Sequence, residues 1–156
     1  MGLKEDVINQ TVSNMNIRPA VTIPLECTVR DAVKKMRSAG LGCIIAVDQD
    51  NRAAGIFTEA MLRHALNESV AVLDDALASQ IVTRLPWVLP TDEVKLVLDA
   101  MEENNIRFIA VLNEEHRVIG ITGQKTMMEF VADTFPHEVM TQNVTDIPPS
   151  LQKEGA

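Results

Sequence analysis

The feature that most restricts this 156-residue chain is an internal repeat. Sliding the sequence by about 65 residues lays Cys43–Phe57 on Phe108–Thr122, and roughly forty positions run without a gap. Val29 meets Val94, Met36 meets Met101, Ile44 meets Ile109, Arg52 meets Arg117, and Gly55-Ile56 meets Gly120-Ile121. A chain built this way uses one supersecondary unit twice. A single copy has a thin core, so the two are expected to pack together rather than hang as beads on a string.

Each copy reads the same way. A short strand ends at a proline, Val21–Pro24 and Leu85–Pro90, as suits an edge strand. A helix follows. In the first copy Thr28 caps it, Asp31 stands at the third helical position and Gly40 ends it. Val29, Ala32, Val33 and Met36 recur at i, i+3, i+4 and i+7 as its apolar face. In the second copy Thr91 or Asp92 is the cap, Val94, Val97, Leu98 and Met101 form the face, and Asn104-Asn105 ends it. Cys43–Val47 is apolar throughout, which marks a strand covered on both sides. A polar turn then leads to Ala53–Phe57, completing a hairpin, and Phe108–Leu112 with Val118–Thr122 repeats it. A second helix, Glu59–Leu66 or Gln124–Ala132, closes each unit. The connector Asn67–Ile81 is too apolar for a free linker and reads as a short docking helix.

Composition narrows the function classes. Fourteen Lys and Arg against 22 Asp and Glu give a formal charge of −8, which argues against nucleic acid or an anionic membrane as the main partner. Aromatics are 3% of residues while Met numbers 8, so the core is aliphatic and a base-stacking platform is not expected. Cys27 and Cys43 form no metal or redox motif and fit a reducing cytoplasm. Met1–Thr11 lacks a secretory h-region, and the apolar runs are strand-sized, so no membrane span is expected. His64, His116 and His137 show no metal-ligand spacing. Asp74-Asp75 and Glu102-Glu103 read as solvated pairs rather than an acid–base couple. No Gly-rich phosphate loop is present, and no residues are left to assign to an enzyme.

The segments RPAVTIPLECTVRDAVKKM, CIIAVDQDNRAAGIFTEAML, RLPWVLPTDEVKLVLDAM and FIAVLNEEHRVIGITGQKTM resemble a tandem pair of cystathionine-beta-synthase (CBS) domains, a Bateman module. The resemblance runs from about Met15 to Phe135. It implies an α+β fold of two β-α-β-β-α repeats packed with pseudo-twofold symmetry into one module. The expected divisions are a lead-in at 1–14, repeats at 15–67 and 68–135, the second including the connector, and a tail at 136–156. His137–Pro149 is similar to a further lead-in.

The resemblance also implies a regulatory ligand, AMP, ADP, ATP or S-adenosylmethionine, in clefts between the repeats, with no cofactor required. Its ligand set falls on Val21, Ile45, Gly55, Phe57, Thr58 and Met61, and on Arg107, Ala110, Gly120, Thr122, Gly123 and Thr126. The family pattern there is Gly, two residues, Thr or Ser, two residues, Asp. Gly permits close approach, a hydroxyl with the following helix N-terminus faces phosphate, and Asp accepts the ribose hydroxyls. This chain has Met61 and Thr126 at the two Asp positions and Gly123 at the second Thr position. A lost charge-assisted pair forfeits roughly 1.5–3 kcal/mol of affinity. Arg107 stands where the family often carries a basic group, while its partner in the first copy is Gly42. Arg37, Arg63, His64 and Lys125 read as solvated helix residues near the clefts. A disc-like homodimer is implied too, with Met61, Leu62, Met127, Met128 and Phe130 as the apolar residues that a monomer exposes. The expected role is regulation of a separate protein. The competing expectation is a dimerisation or interaction module with degenerate ligand sites.

Overall fold

The computed structural model describes residues 2–81 and 85–134. A short helix α1 (Leu3–Ile8) and a 3₁₀ turn (Val12–Asn14) precede the first repeat. That repeat runs β1 (Thr22–Pro24), α2 (Val29–Ala39), β2 (Cys43–Val47), β3 (Ala53–Thr58) and α3 (Glu59–Glu68). The second runs β4 (Trp87–Val88), α4 (Val94–Asn104), β5 (Phe108–Leu112), β6 (Val118–Gly123) and α5 (Gln124–Thr134). Each repeat forms a three-stranded sheet, β1-β2-β3 and β4-β5-β6, with a parallel edge pair and an antiparallel hairpin. This is the α+β, twice-repeated β-α-β-β-α arrangement expected. The expected tail at 136–156, with His137, and Arg84 lie outside the described residues.

The 65-residue shift extends to single hydrogen bonds and torsions. Thr22 opposes Ile45 as Trp87 opposes Ala110, and the ladder irregularity at Ala46/Val47 recurs at Val111/Leu112. Gly40 and Asn105 both turn left-handed after their helices, so the Gly and Asn read as helix ends act as such. Asn51 and His116 sit at matching left-handed turns. The two copies meet at Arg52 and Arg117, equivalent residues that bridge to each other.

The all-apolar central strands are explained by cover on both faces. Ile44 and Ala46 point into the core of the first repeat, Ile109 and Val111 into that of the second. Cys43, Ile45, Ala110 and Leu112 point the other way, into a third core shared by the two sheets. Helices lie outside, sheets inside.

Four expectations need correction. The N-cap of α4 is Glu93 and makes no side-chain cap bond. Asp92 is unavailable because its carboxylate accepts the Leu89 N–H at 2.7 Å. In the first copy Thr28 and Asp31 do form a full capping box. The connector is not one helix but two 3₁₀ segments, Val70–Asp74 and Leu77–Ser79. The lead-in at 1–14, for which no element was expected, carries α1 and packs Val7 and Val12 into the second repeat's core, where Met15 from the start of the expected first repeat joins them. Finally, Met127 and Phe130 are buried in that same core, and Met61 and Leu62 pack against the first. Of the five residues read as exposed, Met128 alone stands out, at 67%.

The flanking segments follow one rule. Leu77 N–H donates to Cys27 O at 2.8 Å and Val29 N–H to Asp75 O at 3.0 Å, fastening the connector to the first repeat. Sixty-five residues away, Val12 N–H donates to Asp92 O and Val94 N–H to Gln10 O, both at 2.8 Å, fastening the lead-in to the second. No helix among the described residues is long and apolar enough to cross a membrane.

Candidate functional site

Two clefts open between the repeats, where the start of one central strand meets the N-terminus of the other copy's closing helix. Cleft one encloses about 330 Å3 among Thr58, Glu59, Arg63, Asn105, Arg107 and Phe108. Cleft two encloses about 70 Å3 and is lined by Arg18, Cys43, Arg107, Thr122, Lys125 and Thr126 among others. The 65-residue shift maps one onto the other: Gly42 onto Arg107, Thr58 onto Gly123, Glu59 onto Gln124, Ala60 onto Lys125.

Cleft one is the roomier and more polar. Its floor is Gly42, where an added Cβ would stand 3.1 Å from the Phe108 ring and 3.4 Å from Glu59 Oε2. The Gly42 carbonyl accepts the Glu59 N–H at 3.0 Å, which seats the start of α3 against the strand. Thr58 is buried, and its hydroxyl accepts the Met61 N–H at 3.3 Å as the helix cap. Glu59, Arg63 and Arg107 are exposed at the rim, and among the described residues none of them is ion-paired. One carboxylate and two guanidiniums thus face a space of ligand size, since small-molecule sites enclose roughly 300–1,000 Å3.

Cleft two has its hydroxyls turned inward. Thr122 and Thr126 are buried with their oxygens 2.7 Å apart. Thr126 Oγ1 accepts the Gly123 N–H at 2.8 Å, and the Thr122 hydroxyl faces Met15 Sδ at 3.7 Å. Gly123 has φ +154°, and a Cβ there would fall 2.0 Å from the Arg107 carbonyl oxygen. A threonine, as in the first copy, has no room, so the departure at position 123 follows from backbone geometry. Cys43 is 1% exposed and burial pushes its thiol up to about 12.

Of the residues the sequence marked, cleft one brings together Thr58 and Arg107, and cleft two Arg107, Thr122, Gly123 and Thr126. Ile45 and Ala110 face the shared core between the sheets, Phe57 lies in the first repeat's core, and Val21 packs beside it. Gly55 is buried opposite Ala46. Gly120 is approached by the chain's own Ile17 and Arg18. Met61 lines a separate groove with Ala60, His64 and Ala65. Arg63 and Lys125, read as solvated helix residues, border clefts one and two. Glu59, Phe108 and Arg18 were missed. The signal for Glu59 was its place directly after the capping Thr58, beside a glycine where the other copy has arginine.

A family model described as the CBS domain matches residues 12–68 and 78–133, most of the chain. A protein of Chlamydia muridarum is 29% identical over 71% of this chain and 36% of its own length. The homoserine O-acetyltransferase of Methanosalsum zhilinae is 26% identical over 80% of this chain and 25% of its own. The chain therefore spans about a third or less of these two curated relatives. Among solved structures, the CBS domain pair of protein MJ0100, in complex with 5′-methylthioadenosine and S-adenosyl-L-methionine, superposes with a TM-score of 0.71 at 18% identity. The match covers 80% of this chain and 98% of that one. A CBS domain protein from Pyrobaculum aerophilum, complexed with AMP, has a TM-score of 0.68 at 20% identity, covering 80% of this chain and 99% of that one.

Proposed function

Because this chain belongs to the CBS domain family and carries two of its units, we propose that it is a ligand-responsive regulatory module with cleft one as its working site. The observation that carries the reading is the placing of Glu59, Arg63 and Arg107 around a cleft of about 330 Å3 between the repeats. The ligand is an adenosine nucleotide. Two guanidiniums suit phosphate oxygens, whereas the sulfonium of S-adenosylmethionine is repelled by them. Glu59 supplies a carboxylate for the ribose hydroxyls that Met61 cannot accept. The ring of Phe108 and the side chain of Ile106 supply the apolar contact for the base. The AMP-bound state of the Pyrobaculum protein supports the ligand class.

Arg63 rides on α3 of the first repeat and Arg107 precedes β5 of the second. One anion held by both ties the repeats together and shifts α3 against whatever it packs on. The module acts on a partner protein, as a homodimer. Support for the homodimer is the exposed Met128 on α5 and an apolar groove of about 300 Å3 between α2 and α3. Two free thiols, Cys27 and Cys43, favour a cytoplasmic setting.

The test is thermal unfolding with AMP, ADP, ATP and S-adenosylmethionine in turn. A ligand at about 100 times its Kd stabilises by about 2.7 kcal/mol. AMP is expected to shift the midpoint, and Glu59→Gln and Arg63→Ala each to weaken binding roughly tenfold or more. Flat curves across the panel would overturn the reading and leave a degenerate interaction module. The inward-turned Thr122 and Thr126 already favour that description for cleft two.

A further inference from the structure

The two repeats match in fold but not in charge. Helix α2 carries Arg30, Lys34, Lys35 and Arg37 against one acid, Asp31. The equivalent helix α4 carries Lys95 against Asp99, Glu102 and Glu103. The 65-residue shift lays Lys34 on Asp99 and Arg37 on Glu102, so the sign reverses at matching places. In a chain of formal charge −8, a basic helix is a local departure. The fold does not call for it, because the buried faces of both helices are apolar: Val29, Ala32 and Met36 on α2, Val94 and Val97 on α4. Lys34, Arg37, Glu102 and Glu103 are all exposed, and among the described residues none of them is ion-paired.

Apolar surface accompanies each set of charges. Arg37 borders the groove of about 300 Å3 between α2 and α3, together with Val33, Met36, Leu41 and Leu62. Met128 stands out at 67% exposed on α5, which packs on the same core as the acidic α4, and the first repeat has Arg63 in its place. A hollow with a basic rim thus lies on one repeat, and an apolar projection with acidic neighbours on the other. Apolar contact inside a charged rim is the pattern of a protein–protein interface. We infer that two copies of this chain pair antiparallel: the α2–α3 face of one packs on the α4–α5 face of the other, with Met128 of a second copy in the groove and Lys34 and Arg37 opposite Glu102 and Glu103. A twofold axis makes this contact twice and closes the pair. Packing like repeat on like repeat would set Lys34 and Arg37 against their own copies, and like charges at a contact cost affinity. The inference rests on the homodimer reading above and adds which faces meet.

Sedimentation across a range of protein and salt concentrations tests it. The native dimer is expected to weaken as salt rises, because opposite charges are screened. Reversing α2 with Lys34→Glu and Arg37→Glu is expected to weaken it by about a hundredfold or more. Reversing α4 with Glu102→Lys and Glu103→Lys is expected to do the same. Neither reversal should move the urea midpoint of the protomer much, since all four side chains are exposed. All four changes in one chain are expected to bring the dimer back to within about tenfold of native, because the signs are opposed again. A native dimer that neither reversal weakens, that tightens with salt, or that the fourfold variant does not restore overturns the antiparallel arrangement and leaves the homodimer standing. A native protein that stays monomeric overturns the homodimer reading, and the arrangement with it.

Discussion

Thr28 and Glu93 occupy equivalent helix starts and behave differently. Thr28 accepts the Asp31 N–H and its own N–H is taken by the Asp31 carboxylate. Glu93 makes no cap bond, and the residue at the third helical position of α4 is Leu96. A side-chain oxygen at the N-cap contributes about 0.5–2 kcal/mol. Glu93→Ser is therefore expected to raise stability by about 1 kcal/mol, read as a higher urea midpoint at unchanged slope. The sequence offered Thr91 and Asp92 as the caps because both residue types favour that place. Only the path of the chain shows that Asp92 is spent on the Leu89 N–H. Gly123 teaches the same lesson: as a letter it is a lost threonine, while in space it is the residue that fits against the Arg107 carbonyl.

Among elements, the strands and hairpins were legible because their pattern is local. Cys43–Val47 announces cover on both faces by being apolar at every position, and the cores on its two sides confirm it. The lead-in was not legible. Met15 contacts Thr122 across more than a hundred residues, and no local spacing encodes that. Its burial makes a test. Met15→Ala removes a large side chain from the second core and is expected to cost about 2–5 kcal/mol. Hydrogen exchange should then quicken in α4 and β6 before α2 and β2. Equal quickening in both repeats would mean that the lead-in serves the whole module rather than the second repeat.

For the whole molecule, the question is what covers the outer helices. Most of the apolar residues that had suggested a dimer face are used inside the protomer, and Met128 is left. If the proposed homodimer packs through α5, Met128→Glu is expected to move the sedimentation coefficient from dimer to monomer at micromolar concentration. The urea midpoint of the protomer fold should stay put, since an exposed side chain contributes little to it. An unchanged oligomeric state would remove α5 from the interface.

The 65-residue spacing alone implied two copies, their element order and one shared module. Periodicity and turn chemistry act between neighbours in the chain, so they can be read from it. Three things waited for the fold: that the lead-in serves the second repeat, that Glu59 and Arg63 face Arg107, and that one cleft is roomy while its twin is small. Each depends on contacts between segments distant in sequence. Side-chain identity constrains such contacts, but backbone packing chooses among them.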